Sequence, residues 1–373
     1  LSFDTLISVE NCDKLRCSFE LDDKKVDALP RVYLGCRPLP MRLLVLSRNA
    51  NLYSTSRLVL AARARGHEVT VADPLHFQVV ISRGRPAMFL GDKLLPPVDL
   101  VLPRIGASIT NYGLAVVRQF DMMGIPVLNN AIAIARSRDK LRAMQLLTKK
   151  DIDVPKTVCA RAPDSVDAAL DFIGGTPAII KLHQGTQGIG TMIADTPQAA
   201  TSLLETLWAM GQDIILQEYI SESKGRDFRA LVVGGRVIAA MRRQAKKGEF
   251  RSNLHRGGRS ARIELPKEYR LAAIAAANVM GLEVAGVDML QGRDGPKILE
   301  INSSPGLEGI ERTSGIDVAG AIIAHAEKFL ATRKKRRARR DSVVEAEQRN
   351  SRVRPQETTK ARSTTRRSRG TGG

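Results

Sequence analysis

Apolar and polar positions alternate in blocks that set out most of the chain. From Met41 the run RLLVL is an apolar strand, the polar residues Ser47, Arg48 and Asn49 break it, and after Ala50 an apolar stripe at helical spacing continues through Ala64. Gly66 stands where a helix of that length stops, and EVTVAD is the next apolar run. Strand, helix and strand in this order predict an α/β domain on a parallel sheet. VDLVLPRIG, a helix over about 112–123 and IPVLN extend it. After Ala135, SRDKLRAMQLLTKKDIDVP reads as a helix with Ser137 as its N-cap. A second αβ unit covers 156–220. The section 227–302 is strand-rich with one Ala-rich helix over 269–280, and a last helix spans about 316–330. No internal repeat occurs. The expected organisation is an extension at 1–40 outside the globular fold, domains at 41–135, 136–225 and 226–330, and a tail at 331–373.

Composition changes the picture at the two ends. The net charge is +19, and fifteen Lys/Arg against four Asp/Glu place +11 of it after position 330. That tail has no aromatic residue, so it lacks the apolar surface to offset its ordering entropy and is expected to be disordered. The first forty residues show no sustained period, begin with Leu and hold three of the four cysteines, Cys12, Cys17 and Cys36. They read as an upstream extension, with translation beginning at Met41, or else as a flexible arm. Cys159 stands alone, which gives neither a disulfide framework nor a four-ligand zinc site and suits a reducing cytosol. No apolar run reaches the ~18 residues of a membrane span, and no basic-then-apolar leader is present. A cytoplasmic protein with no membrane partner is expected.

Chemistry first shows in PAIIKLHQGTQGIGTMIAD, with its glycine loop at 185–190. A dinucleotide or P-loop reading needs a helix after the glycines. The β-like TMIA follows instead, and no Lys-Ser/Thr closes the loop, so both readings fail. What remains is a strand–loop–strand flap whose backbone N–H groups can close over a triphosphate. Lys181 lies inside the apolar AIIKL, where an unpaired ammonium is costly and a phosphate would be its partner. A hairpin with a solvent-facing lysine is the plainer alternative. The strand DIILQEYI ends at a domain junction, where its backbone can pair with an adenine edge. Arg104, directly after VDLVLP, is a candidate anion contact at the carboxyl end of a strand, or simply a surface arginine.

The stretch VDMLQGRDGPKILEINSSPGLEGIE sets Asp288, Glu300 and Asn302 into two apolar runs that read as a β-hairpin. Glu300 and Asn302 share one strand face. Closure of the 291–297 linker puts Asp288 opposite Glu300 or one pleat away, with Cβ atoms ~5 Å apart. Two carboxylates so close repel unless a cation lies between them. Mg²⁺ or Mn²⁺ suits such oxygen ligands, with the Asn carbonyl as a third. The alternative is a solvated hairpin face. The basic loop KKGEFRSNLHRGGRS either lies over an anionic reaction centre, with Arg251 and Asn253 as donors, or is merely exposed.

Together Lys181, GTQGIG, QEYI, GRDFR, FRSNLHRGG and EINSSPGLEGIE resemble an ATP-grasp carboxylate–amine ligase. They are most similar to the RimK-type α-L-glutamate ligases, which extend the C-terminus of a small-subunit ribosomal protein with glutamate. The resemblance runs from Met41 to about Leu330. It implies an α/β architecture: a Rossmann-like N-terminal domain followed by a two-subdomain ATP-grasp fold that holds ATP. It implies phosphate contacts for Lys181 and Lys140, adenine contacts for Glu218 and Tyr219, and a place near the nucleotide for Asp227. Arg251, Ser252 and Asn253 would meet the triphosphate, with Arg251 acting on the transferred phosphoryl group. Asp288, Glu300 and Asn302 would bind Mg²⁺ or Mn²⁺, two ions in all. The implied reaction passes through an acyl phosphate that the amine of L-glutamate attacks. A ligase with another peptide, carrier-protein or small-molecule acceptor shares all these residues. A basic-tailed nucleic-acid-binding protein is the reading from another class, and the tail of a ligase would either dock on ribosomal RNA or stay solvated without a role. The oligomeric state, including a homo-oligomer, is left open.

Overall fold

The computed structural model describes residues 40–161, 166–182, 190–246, 249 and 257–353. The expected N-terminal α/β unit is present. β1 (Arg42–Leu46), α1 (Tyr53–Ala64) and β2 (Glu68–Ala72) are followed by an antiparallel insertion, β3 (Phe77–Val80), β4 (Ala87–Leu90) and β5 (Lys93–Leu94). β6 (Leu100–Pro103) then returns to the first sheet, which runs β2–β1–β6 with parallel pairing. β1 is apolar at successive positions because both faces are covered. Leu43 and Val45 pack with α1, and Leu44 and Leu46 pack with Val116 and Phe120 of α2 (Thr110–Met122).

The helix expected from Ser137 is instead two helices, α3 (Ala131–Arg138) and α4 (Lys140–Thr148). Ser137 is in the last turn of α3, donating to Ile134 O at 3.0 Å, and Asp139 is the cap, accepting from Arg142 N. An aspartate two residues on is as good a cap as serine, so spacing alone did not choose between them.

The next unit holds β7 (Thr157–Ala160), α5 (Val166–Ile173), β8 (Ala178–Leu182), β9 (Thr191–Ala194), α6 (Pro197–Ala209) and β10 (Ile214–Glu218). Its sheet is antiparallel throughout, in the order β7–β10–β8–β9. Ile180, Ile214 and Leu216 pack under α5 and α6, so period two turns Lys181 and Gln217 to the opposite face. The glycine loop joins β8 to β9 as a strand–loop–strand unit, though 183–189 lie outside the described residues.

The third unit is β11 (Arg226–Val233), β12 (Arg236–Gln244), β13 (Arg259–Arg262), α7 (Lys267–Met280), β14 (Val284–Gly292) and β15 (Gly295–Asn302), in an antiparallel sheet ordered β13–β12–β11–β14–β15. α7 covers Ala230, Val232 and Val287 with a small-residue face of Ala273, Ala276, Ala277 and Met280. The other face buries Leu231, Val233 and Met241 near α8 (Glu308–Ser314) and α9 (Val318–Val353). Toward the start of β11 that second face becomes charged, through Arg229 and Asp227.

α9 departs from expectation. It packs through Val318, Ala319, Ile322, Ile323, Ala326 and Leu330, then continues as helix to Val353, so that of the tail expected to be disordered 331–353 are helical and 354–373 lie outside the described residues. The disorder argument counts apolar surface and overlooks that a helix already anchored needs no new nucleus. Ala, Arg and Lys are also strong helix formers. No helix among the described residues is long and apolar enough to cross a membrane.

Candidate active site

The hairpin β14–β15 pairs Asp288 directly with Glu300 and Gly286 with Asn302. A bulge between Asp288 and Met289 lets both carboxylates share one face although the strands slip by a residue. The turn is tighter than the 291–297 linker suggested, with Gly292 already paired to Gly295.

The charge that keeps these carboxylates together comes first from arginine. Arg229, across from Asp288 on β11, donates from Nε to Oδ1 at 2.7 Å and from Nη2 to Oδ2 at 2.6 Å. Arg243 on β12 donates to both oxygens of Asp227 at 2.6 Å, and its Nη2 also lies 3.0 Å from Asp288 Oδ2. Asp227 and Asp288 are 3% and 4% exposed. The two arginines hold Asp288 below the usual carboxylate range against the opposing effect of burial. Asp227, expected near the nucleotide, has both oxygens engaged by Arg243. Neither arginine was singled out in the sequence, although each interrupts an apolar strand at period two, as Lys181 does.

Glu300 differs from its partner. It is open to a cleft, and no hydrogen bond to its carboxylate occurs among the described residues. Its pKa is raised, first by its depth in the protein and then by Asp288, against the pull of Arg229, Lys181 and Lys140. Lys181 approaches from the second unit, and Lys140 from α4, whose Ala143 and Leu147 pack into the core of the third. Lys181 Nζ donates to Gln217 Oε1 at 2.5 Å. Gln217, 1% exposed, is aimed by Thr157, whose Oγ1 accepts from Gln217 Nε2 at 2.9 Å. Burial lowers the Lys181 pKa to about 8, with Glu300 opposing and Lys140 reinforcing the shift. Lys140, at the start of α4, donates to Leu182 O at 3.3 Å, and burial lowers its pKa as well. Glu218 at the end of β10 accepts from Lys156 N at 3.0 Å, and its own N–H donates to Lys156 O. Half-buried Tyr219 follows directly after that strand. Arg251, Ser252 and Asn253 lie outside the described residues.

Beyond Asn302 the chain turns sharply, and the N-terminal sheet holds the turn. Arg104 donates to Pro305 O at 2.7 Å, Ser304 Oγ to Pro103 O at 3.3 Å, and Leu307 N to Ser54 Oγ at 2.9 Å. Asn129 donates to Ser303 O at 2.9 Å and to Val284 O at 2.8 Å. Arg104 therefore fixes a loop through a protein carbonyl, and burial lowers its pKa to about 10, which leaves it charged at neutral pH. Gly286 permits the turn, because a Cβ there would sit 2.8 Å from Pro305 Cβ. The result is a cleft of about 900 Å³ between residues 105–112 of the first unit, Arg138 and Lys140, and the strand end at 300–304. Arg138 braces its wall by donating to Gly106 O at 3.0 Å, to Thr110 Oγ1 and to Ile105 O.

The donor set fits a hard divalent cation. Among the described residues no cluster of three or more His, Cys, Asp or Glu side chains is arranged for a metal, so any site here combines two carboxylates with an amide. Glu300 and Asn302 face the cleft. Among the described residues Asp288 Oδ1 accepts a single hydrogen bond, from Arg229, which leaves it a lone pair. Mg²⁺ commonly takes one or two carboxylates and completes its shell with water and phosphate oxygens.

Two antiparallel sheets and helix α4 that bring half-buried lysines against a carboxylate-bearing hairpin, behind a parallel N-terminal sheet, make this protein an ATP-grasp ligase, a class that uses ATP and Mg²⁺. Within that class the chain belongs to the RimK family: residues 137–326 match the RimK-like ATP-grasp domain and 41–134 the RimK PreATP-grasp domain. It is 53% identical over 294 residues to a probable alpha-L-glutamate ligase of Aliivibrio fischeri, covering 79% of this chain and 98% of that protein. A probable alpha-L-glutamate ligase of Vibrio vulnificus is 54% identical over 288 residues, covering 77% and 96%. Among solved structures, the ATP-grasp ligase PsnB, complexed with a phosphomimetic variant of its minimal precursor, Mg and ADP, shares the fold with a TM-score of 0.60. That match has 22% identity and covers 79% of this chain and 99% of PsnB.

Proposed function

We propose that this protein is a cytoplasmic α-L-glutamate ligase that joins the amino group of glutamate to the C-terminal carboxylate of a small-subunit ribosomal protein. The observation that carries the reading is the balance of charge on the site. Arg229 and Arg243 balance Asp227 and Asp288, which leaves Glu300 facing Lys181 and Lys140 with an excess of positive charge suited to phosphates. The names of the closely similar relatives supply the glutamate.

In this reading Lys181 and Lys140 bind the phosphates, Glu218 and Tyr219 border the adenine, and Asp227 orients Arg243. Arg251, Ser252 and Asn253 meet the triphosphate, with Arg251 steadying the transferred group. Asp288, Glu300 and Asn302 hold Mg²⁺ or Mn²⁺, two ions in all, which when bound neutralise phosphate charge. An oxygen of the acceptor carboxylate attacks the γ-phosphorus and ADP leaves. The glutamate nitrogen then attacks the acyl carbon, phosphate departs, and the amine loses a proton to solvent. Such chemistry is mostly positioning and charge stabilisation, so it requires no nucleophilic side chain. The 900 Å³ cleft beside Glu300 is where acceptor and glutamate meet.

The test is incubation with Mg-ATP, glutamate and candidate acceptors, followed by mass spectrometry. A gain of one or more glutamyl residues on the ribosomal protein is the expected result. Labelling confined to other peptides, carrier proteins or small molecules rejects that acceptor.

A further inference from the structure

Residues 331–343 of α9 are exposed at every position. Seven of the eight residues from Arg333 to Arg340 are cations: Arg333, Lys334, Lys335, Arg336, Arg337, Arg339 and Arg340. Among the described residues the run has one ion pair, Arg337 with Asp341 at 3.9 Å. At ~100° per residue the cations fall on all sides, and between Thr332 and Ser342 only Ala338 is apolar. A helix that docks in a protein groove needs apolar anchors at i, i+3 and i+4, and one that lies on a membrane needs an apolar face. This helix has neither. Phosphate contacts require only charge and reach, and guanidinium groups pair with phosphate oxygens in a bidentate manner.

A second observation separates this surface from a merely solvated helix. At its base a groove of about 390 Å³ runs between α9 and the body, lined by Lys328, Thr332, Arg333 and Arg336 on one side and Asn130, Gly281 and Glu283 on the other, and the single carboxylate among these, Glu283, is already engaged by His325 at 2.8 Å. Arg333 lies over the Phe329 ring at 5.4 Å, which holds its planar group in place. Lys328, Thr332 and Arg336 continue along one helix face to Arg339 and Arg340, so a backbone seated in the groove stays in register with further cations.

We infer that this groove and helix form a docking surface for the phosphate backbone of a folded RNA. Base recognition is not part of it, because no aromatic residue beyond Phe329 is present for stacking. The choice of RNA over DNA rests on the ribosomal acceptor proposed above, whereas the phosphate contacts do not.

The test uses the full chain and a variant carrying K334Q, R336Q, R337Q and R340Q. Fluorescence anisotropy measures binding to an RNA hairpin, to duplex DNA of equal length and to poly-L-glutamate across a salt series. The hairpin is expected to bind best. The variant should lose at least about tenfold in affinity, with a shallower salt slope by about one per phosphate contact removed. Its helical circular dichroism and ATP-induced thermal shift should match the parent. Unchanged RNA binding by the variant overturns the proposal, as does equal or tighter binding of DNA or polyglutamate. Salt-dependent RNA binding that the variant loses, in a protein that fails to glutamylate any ribosomal protein, upholds the docking surface and rejects the acceptor.

Discussion

Asp288 and Glu300 stand directly opposite each other across one hairpin, yet arginines grip only Asp288. One carboxylate is thus built into the scaffold and the other is presented to the cleft. The difference gives the two positions opposite mutational signatures.

Replacing Glu300 with Gln is expected to leave thermal stability nearly unchanged or slightly raised, since the wild-type group has a raised pKa and no hydrogen bond among the described residues. Mg²⁺-dependent ATP turnover should fall by at least about a hundredfold, as for the loss of an electrostatic stabiliser. Asp288→Asn should instead destabilise by about 3–5 kcal/mol, because the buried Arg243 and the half-buried Arg229 lose a charged partner. Urea unfolding and a coupled ADP assay on both variants check the contrast.

Lys181 should give ATP affinity a distinctive pH dependence. Its folded-state pKa of about 8 lies below the ordinary 10.5, so the ammonium loses its charge as pH rises through about 8. Apparent KM for ATP is therefore expected to climb above that pH, and Lys181→Met should raise KM at neutral pH and flatten the profile. The stability effect has the same origin. The cost of the buried charge is full below pH 8 and is relieved between 8 and 10.5, where the unfolded chain holds more protons.

Gln217 sets that lysine through its carbonyl oxygen. Gln217→Leu removes the acceptor of Lys181 and leaves the buried ammonium with less compensation, so the pH at which KM rises should move down. A pH series of KM on this variant measures the shift, and an unchanged profile would show that Gln217 does not tune the lysine.

Gly286→Ala places a methyl group 2.8 Å from Pro305 Cβ. Overpacking of this kind typically costs about 1–3 kcal/mol. Since the turn shifts with Pro305, turnover should fall more than ATP binding does, which a kcat-against-KM comparison reads directly.

The sequence carried the first parallel unit, the hairpin and its facing carboxylates, and the inward Lys181, because each rests on periodicity within a few residues. The β3–β5 insertion, α3 and the cap at Asp139 were lost where several short elements lie close together. The arginine pairs were hidden for another reason: Arg229 and Asp288 are far apart in the chain, and only the order β11–β14–β15 makes them neighbours. The same holds for Ser54, Arg104 and Asn129, whose partners lie 154 to 253 positions downstream. The polar helix beyond Leu330 was missed because composition was weighed without its anchored start.

The ties from Ser54, Pro103, Arg104 and Asn129 to the turn after Asn302 also limit how this enzyme can be rebuilt. An ATP-grasp module excised at Asn130 would keep its nucleotide lysines but let the end of β15 drift. Chimaeras that exchange N-terminal sheets between ligases must therefore transplant this set of stitches along with the turn it secures.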